Sequence, residues 1–183
     1  VSGLIEMGMP FDRENSGLVF GLEGGHSRRR ILHAGGGATG KELTLFMLKM
    51  VIKQESVVAY EYHAAIRLVR GIDGIAGVQV FDFASGKNLF LRSGIVILAT
   101  GGFSRIYARS TNPFTATGDG IAMAYRAGAR IANMEFVQFH PTCLYHKDAK
   151  NFLISEAVRG EGAVLVDEGG YRFMEKYDQE RME

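Results

Sequence analysis

Cysteine is nearly missing from this 183-residue chain, where Cys143 stands alone. A single thiol rules out an internal disulfide and a multi-cysteine metal site, and it fits a reducing compartment, expected here to be the cytoplasm. An excess of either charge is missing too. Twenty-one Lys and Arg against twenty Asp and Glu leave a net charge of +1, so no broad field invites nucleic acid; Arg28-Arg29-Arg30 is too short to count as a basic patch. No apolar run approaches the roughly 20 residues that span a bilayer, and no signal-peptide pattern opens the sequence. A chain that starts at Val1 and stops at Arg181-Met182-Glu183, with no cap or turn, is expected to be a piece of a longer protein.

Glycine, by contrast, is abundant. The chain has 24 glycines, about twice the usual share of roughly 7%, and they are clustered rather than periodic. Such clusters mark tight turns or places where backbone must approach a ligand. Hydrophobic content of 46% and charged content of 22% are those of an ordinary globular protein.

Residues 1–15 read as an irregular entry. Leu18 to Leu22 and Arg30 to His33 have strand character, with Gly24-Gly25 turning between them. From Thr39, a candidate cap, to about Glu55, apolar residues recur at helical spacing; Leu45, Leu48 and Ile52 make this helix apolar nearly all round, which predicts burial between layers. Val57 to Val69 reads as extended, and Val78 to Phe83 with Asn88 to Leu91 as a hairpin around Ser85-Gly86-Lys87. Ile95 to Ala99, IVILA, is a continuous apolar run of the kind found in strands covered on both faces. A second helix is expected from Gly118, with Ile121, Ala122, Tyr125 and Ala129 on one side, and a short one from Ser155. Strands alternating with helices argue an α/β protein, and the change of texture near residue 135 argues a domain boundary there.

One glycine cluster matches a phosphate-binding loop. Gly35 to Lys41 reads G-x-x-x-x-G-K between a strand and a helix. The next residue is Glu42, where a hydroxyl is needed for magnesium, and IVILA ends in Ala99-Thr100 rather than in an aspartate. A P-loop nucleotide hydrolase is therefore the weaker alternative.

Other signals carry two readings each. Thr100-Gly101-Gly102 follows an apolar strand at the end where open α/β sheets bind ligands, or is a plain turn. Asp119, between two glycines, either complements a helix dipole or accepts hydrogen bonds from ribityl or ribose hydroxyls. Pro141 restricts the backbone of His140 and so fixes where its imidazole points, whether as a ligand-binding group or as a satisfied core histidine. Glu156 and Arg159, at i,i+3, are placed for an ion pair, structural or proton-relaying. Glu23, before Gly24-Gly25, is either solvated surface or an anion that suits a substrate bearing a positive charge.

The blocks LEGGHSRRRILHAGGGATGKE, VILATGG, TNPFTATGDGIAMAYRAGARIANMEFVQFHPT and FLISEAVRGEGAVL together resemble the flavoprotein family of succinate dehydrogenases, fumarate reductases and L-aspartate oxidases, and the last of these most. The resemblance runs from Gly8 to Met174. It implies a partial FAD-binding domain over residues 1–135, three-layered with a β-hairpin or meander insert, followed by the start of an α+β substrate-capping domain over 136–183. It further implies non-covalent FAD and oxidation of L-aspartate to iminoaspartate, with oxygen or fumarate as acceptor, at the entry to NAD biosynthesis. A quinolinate synthase is the candidate recipient of the imine. By the same resemblance, Thr100, Gly101, Gly102 and Asp119 contact FAD, while His140 and the Ser155 hydroxyl hold a substrate carboxylate with Gln138 lining the pocket. Glu23 pairs with the substrate ammonium, and Glu156 with Arg159 passes protons. The alternative within the family is a succinate dehydrogenase or fumarate reductase subunit, against which Glu23 argues. Ser155 stands where Thr is common, and Gly37 where an acid is common. The N-terminal dinucleotide-binding glycines and several substrate-binding Arg and His residues of the family are not in this sequence, so the piece by itself is expected to be inactive.

Overall fold

The computed structural model describes residues 1–149 and 152–180. Contacts divide the chain into two compact units, one formed by residues 1–58 with 153–183 and the other by 59–152.

The first unit begins with a short helix, α1 (Ser2–Glu6), where an irregular entry was expected. Its Leu4 and Ile5 have a reason to be ordered, since they pack on a small core of Met9, Phe11 and the fully buried Ala34. A tight hairpin follows, β1 (Arg13–Glu14) with β2 (Gly17–Leu18), turned by Asn15 and Ser16. Then β3 (Phe20–Gly21) pairs antiparallel with β4 (Ile31–Leu32), matching the two predicted strands. Residues 22–30, with the Gly24-Gly25 turn, form the connection. The long helix α2 (Thr39–Ile52) sets Leu43 and Phe46 against the core.

Two expectations about α2 fail. Thr39 is its first helical residue rather than its cap, and its hydroxyl instead accepts a hydrogen bond from the Ala34 N–H at 3.2 Å. No residue of α2 is buried; Leu45, Leu48 and Ile52 face outward, Ile52 being 65% exposed. The all-round apolar pattern is real, but only one stripe meets a partner among the described residues.

The second unit is organised on an antiparallel meander of β5 (His63–Arg70), β6 (Ile75–Asp82) and β7 (Lys87–Arg92). The predicted hairpin is present, with Val80 opposite Leu89 and Phe81 opposite Asn88, and it turns at Gly86, whose φ is +68°. Val80 is buried at the centre of the ladder. Residues 57–62, expected to be extended with the rest, precede β5 and are not strand. Helix α3 (Asp119–Arg126) lies on β5 and buries Gly120 and Met123. Tyr125 does not share that inner side as predicted; it is 70% exposed.

IVILA departs furthest from expectation. It is not strand, and Ile95 and Ile97 are 81% and 86% exposed. A strand exists only through hydrogen bonds to a neighbour, and none of the described residues provides one.

The last element, α4 (Glu156–Gly160), returns to the first unit. Ser155 caps it, its Oγ accepting from the Ala157 N–H at 3.2 Å.

Candidate functional site

Four of the predicted site residues come together in the first unit, where α4 docks on the β3–β4 connection. The Gly24 N–H donates to the Glu156 carbonyl at 3.1 Å. Gly160 lies so close to the backbone of Leu22 and Glu23 that a Cβ there would overlap the Leu22 carbonyl. The Arg159 side chain covers Gly24. Glu23, Ser155, Glu156 and Arg159 are thereby gathered from positions more than a hundred residues apart in sequence.

Arg159 is only 10% exposed and its Nη2 lies 3.4 Å from Glu156 Oε1, the predicted i,i+3 pair. Its Nε is buried with no hydrogen-bond partner among the described residues, as is His26 Nδ1 in the same connection. A buried, unmatched guanidinium donor is costly unless a further group meets it. At the rim, Arg29 grips Glu161 through two parallel hydrogen bonds of 2.6 and 2.8 Å. That bond holds the Glu161 carboxyl below its ordinary range and raises the Arg29 guanidinium, both groups remaining exposed.

Glu23 itself is 19% exposed, and its Oε1 lies 3.7 Å from Nε2 of His33. Sequence reading missed His33, because its partner sits ten residues away across the β3–β4 turn and no local motif links them. It equally missed Arg29–Glu161, whose partners are 132 residues apart.

The glycine cluster at the head of α2 behaves differently. Gly35 and Gly36 both have left-handed φ, +60° and +64°, so their N–H groups converge. They donate to the two carboxylate oxygens of Asp12 at 2.9 and 3.0 Å, while Glu42 packs beside Gly35. The N–H groups at the head of this loop are taken by the protein's own acid, which counts against the nucleotide-hydrolase alternative.

In the second unit, Thr100-Gly101-Gly102 packs on the start of α3. A Cβ on the buried Gly120 would overlap the Thr100 hydroxyl, and one on Gly118 would press on Phe103. Asp119 is the first residue of α3, exposed, with no partner among the described residues. Gly101 has φ +73°, and no described atom lies within 4 Å of where a Cβ would sit on Gly101 or Gly102. The predicted turn, the acid and open space beside the double glycine therefore coincide.

Two residues beyond Gly102, Ser104 enters the wall of a cleft of about 210 Å³. Gln138 and His140 line it, with Tyr107, Arg109 and Cys143. Its volume is below the roughly 300–1,000 Å³ of drug-sized sites and suits a small metabolite. Phe139 packs edge-on against Tyr107, with ring centres 5.1 Å apart, and so fixes the Gln138–His140 strip. His140 Nδ1 is 2.9 Å from the Thr142 carbonyl, to which it donates when protonated, and 3.2 Å from the Thr142 N–H, from which it accepts when not. Either way the backbone beyond Pro141 orients the ring.

The second unit thus carries a bare glycine bend at a helix head, an exposed acid beside it and a small, mainly apolar cleft. The chain belongs to the FAD binding domain family, whose model matches residues 1–182. It is 48% identical to L-aspartate oxidase 1 of Ralstonia nicotianae over 188 residues, covering 98% of this chain and 35% of that protein. The L-aspartate oxidase of Vibrio cholerae serotype O1 is 44% identical, with 98% and 36% covered. Among solved structures, a point variant of E. coli quinol fumarate reductase superposes with a TM-score of 0.87 at 28% identity, over 96% of this chain and 29% of that one. The chain thus spans about a third of the length of these relatives. No helix among the described residues is long and apolar enough to cross a membrane.

Proposed function

We propose that the full-length protein is a flavin-dependent L-aspartate oxidase, converting L-aspartate to iminoaspartate with oxygen or fumarate as electron acceptor, the first step of NAD biosynthesis from aspartate. Residues 1–135 are read as the later part of its FAD domain and 136–183 as the start of its substrate cap. A cytoplasmic location and delivery of the unstable imine to a quinolinate synthase complete this reading.

The observation that carries it is the gathering of Glu23 with Ser155, Glu156 and Arg159 around α4. L-Aspartate differs from succinate by one ammonium group. A carboxylate held beside residues suited to bind a diacid is what that difference requires.

The residues fit a flavin. Open space beside Gly101 and Gly102 leaves room for the edge of a large planar group. Thr100, Gly101, Gly102 and Asp119 would hold non-covalent FAD, the exposed Asp119 carboxylate accepting from ribityl or ribose hydroxyls. FAD supplies the two-electron acceptor; the chain's own residues supply binding and orientation. Ser155 Oγ accepts from Ala157, which leaves its O–H to donate to a substrate carboxylate. His140, oriented by Thr142, and Gln138 offer polar contacts for a carboxylate in the cleft. Glu23 neutralises the ammonium, and a substrate fixed at its charged groups presents one carbon–hydrogen bond for reaction. Arg159, paired with Glu156, presents a cation whose buried Nε still lacks an acceptor among the described residues, as expected of a group awaiting an anion.

The test is a Glu23→Gln variant of the full-length protein. It is expected to lose about a hundredfold in kcat/KM for L-aspartate while fumarate reduction changes by less than about threefold, since only one substrate carries the ammonium. Equal losses would instead favour a succinate dehydrogenase or fumarate reductase subunit.

A further inference from the structure

We propose that His33 is a positioning residue for Glu23 and thereby a determinant of specificity for an amino-bearing diacid. This rests on the reading that Glu23 pairs with the substrate ammonium.

The geometry is local to the β3–β4 pair. Glu23 stands two residues after β3 and His33 directly follows β4, so they leave opposite ends of the short antiparallel ladder, and the His33 ring reaches across Gly21 to the Glu23 side chain. His33 Nε2 faces Glu23 Oε1 at 3.7 Å, and the two side chains are 24% and 19% exposed. At that distance it is a close polar contact, longer than a formed hydrogen bond, and an ion pair only when the imidazole carries a proton on both nitrogens.

Two features show that the ring has a built seat. The imidazole lies against Gly21, so closely that a Cβ at Gly21 would overlap Nε2. The backbone of His33 is fixed as well, its carbonyl accepting from the Asp12 N–H at 2.8 Å. Asp12 is in turn anchored by the N–H groups of Gly35 and Gly36. The chain of contacts from glycine nest to Asp12 to His33 ends on one oxygen of Glu23.

The consequence is chemical. A mobile carboxylate would sample rotamers and meet the nearby guanidinium of Arg159, which covers Gly24. Such a collapse would cancel the anion that an ammonium needs. Holding Oε1 toward His33 leaves Oε2, which has no partner among the described residues, to receive the substrate. Diacids without an amino group gain nothing from this arrangement.

The experiment uses the full-length flavoprotein and compares steady-state kinetics on L-aspartate with reduction of fumarate. His33→Leu should raise the KM for L-aspartate about tenfold with kcat within about twofold, the signature of lost uniform binding, and leave the fumarate KM within about twofold. His33→Gln, whose amide N–H can reach the place of Nε2, should recover most of the affinity. Gly21→Ala, which displaces the ring while keeping it, should resemble His33→Leu and decides the matter if that variant yields no folded flavoprotein. An unchanged aspartate KM in both His33→Leu and Gly21→Ala, equal losses on both substrates, or no rescue by Gln would overturn the proposal. If Glu23→Gln is selective for aspartate and His33→Leu is not, only the role of His33 falls. If Glu23→Gln harms both substrates equally, the ammonium reading is wrong and the role of His33 falls with it.

Discussion

Ser155 uses its hydroxyl twice, as acceptor for the first turn of α4 and as donor toward an anion. Those uses separate by substitution. Ser155→Ala should cost about 1 kcal/mol of stability from the lost cap, measured by urea unfolding, together with a larger loss in kcat/KM for aspartate. Ser155→Thr keeps the hydroxyl and should retain both. Gly160 has a different duty, since its bare Cα lets α4 touch the Leu22–Glu23 backbone. Gly160→Ala should destabilise the full-length protein by roughly 1–3 kcal/mol through overpacking, and should lower aspartate turnover because Glu23 moves with that backbone. Arg29–Glu161 gives a pH expectation. The Glu161 carboxyl is held low in the folded state by its bond from Arg29, so its contribution is present above the ordinary carboxylate range and is lost as pH falls through the lowered value. Melting temperature followed across the acid range should drop less in Glu161→Gln than in the unmodified protein; because the pair is exposed, the effect should shrink in high salt.

Elements divide by how local their causes are. The meander β5–β7 was legible because alternation and a Ser-Gly-Lys turn lie within thirty residues of one another. The short helix α4 was legible for the same reason, though not the cap that Ser155 provides. Helix α2 was legible as a helix but not in its burial, because nothing in a stretch of apolar residues says which side finds a partner. IVILA was misread as paired strand because its strand character depends wholly on neighbours that no local pattern reveals. The glycine cluster is the instructive case. Its sequence fits a phosphate loop, and Glu42 with the missing aspartate after IVILA hinted otherwise; the decisive acid, Asp12, lies 23 residues earlier. Asp12→Ala should therefore lower stability by about 1 kcal/mol or more, read as a lower urea midpoint, and added ATP should not raise the melting temperature of either protein.

At the scale of the whole molecule, chemistry is distributed. The flavin-contact candidates Thr100, Gly101, Gly102 and Asp119 and the carboxylate-binding candidates Gln138 and His140 occur in one unit, and Glu23 with α4 in the other. Sequence blocks pointed to each residue, but not to His33, to the orphan Nε of Arg159 or to the Tyr107 and Arg109 walls of the cleft. The outward apolar residues of α2 and IVILA make the 183-residue piece a poor candidate for independent activity. Isolated, it should bind a hydrophobic dye strongly and produce no peroxide from aspartate, whereas the full-length protein should bind little dye and be active.

The most direct test of the central claim is anaerobic titration of the purified full-length protein with L-aspartate and, separately, with succinate, followed by visible absorption. Loss of the oxidised-flavin band with aspartate but not with an equal concentration of succinate is the predicted result. A colourless protein, or a band that succinate removes and aspartate leaves untouched, would contradict it.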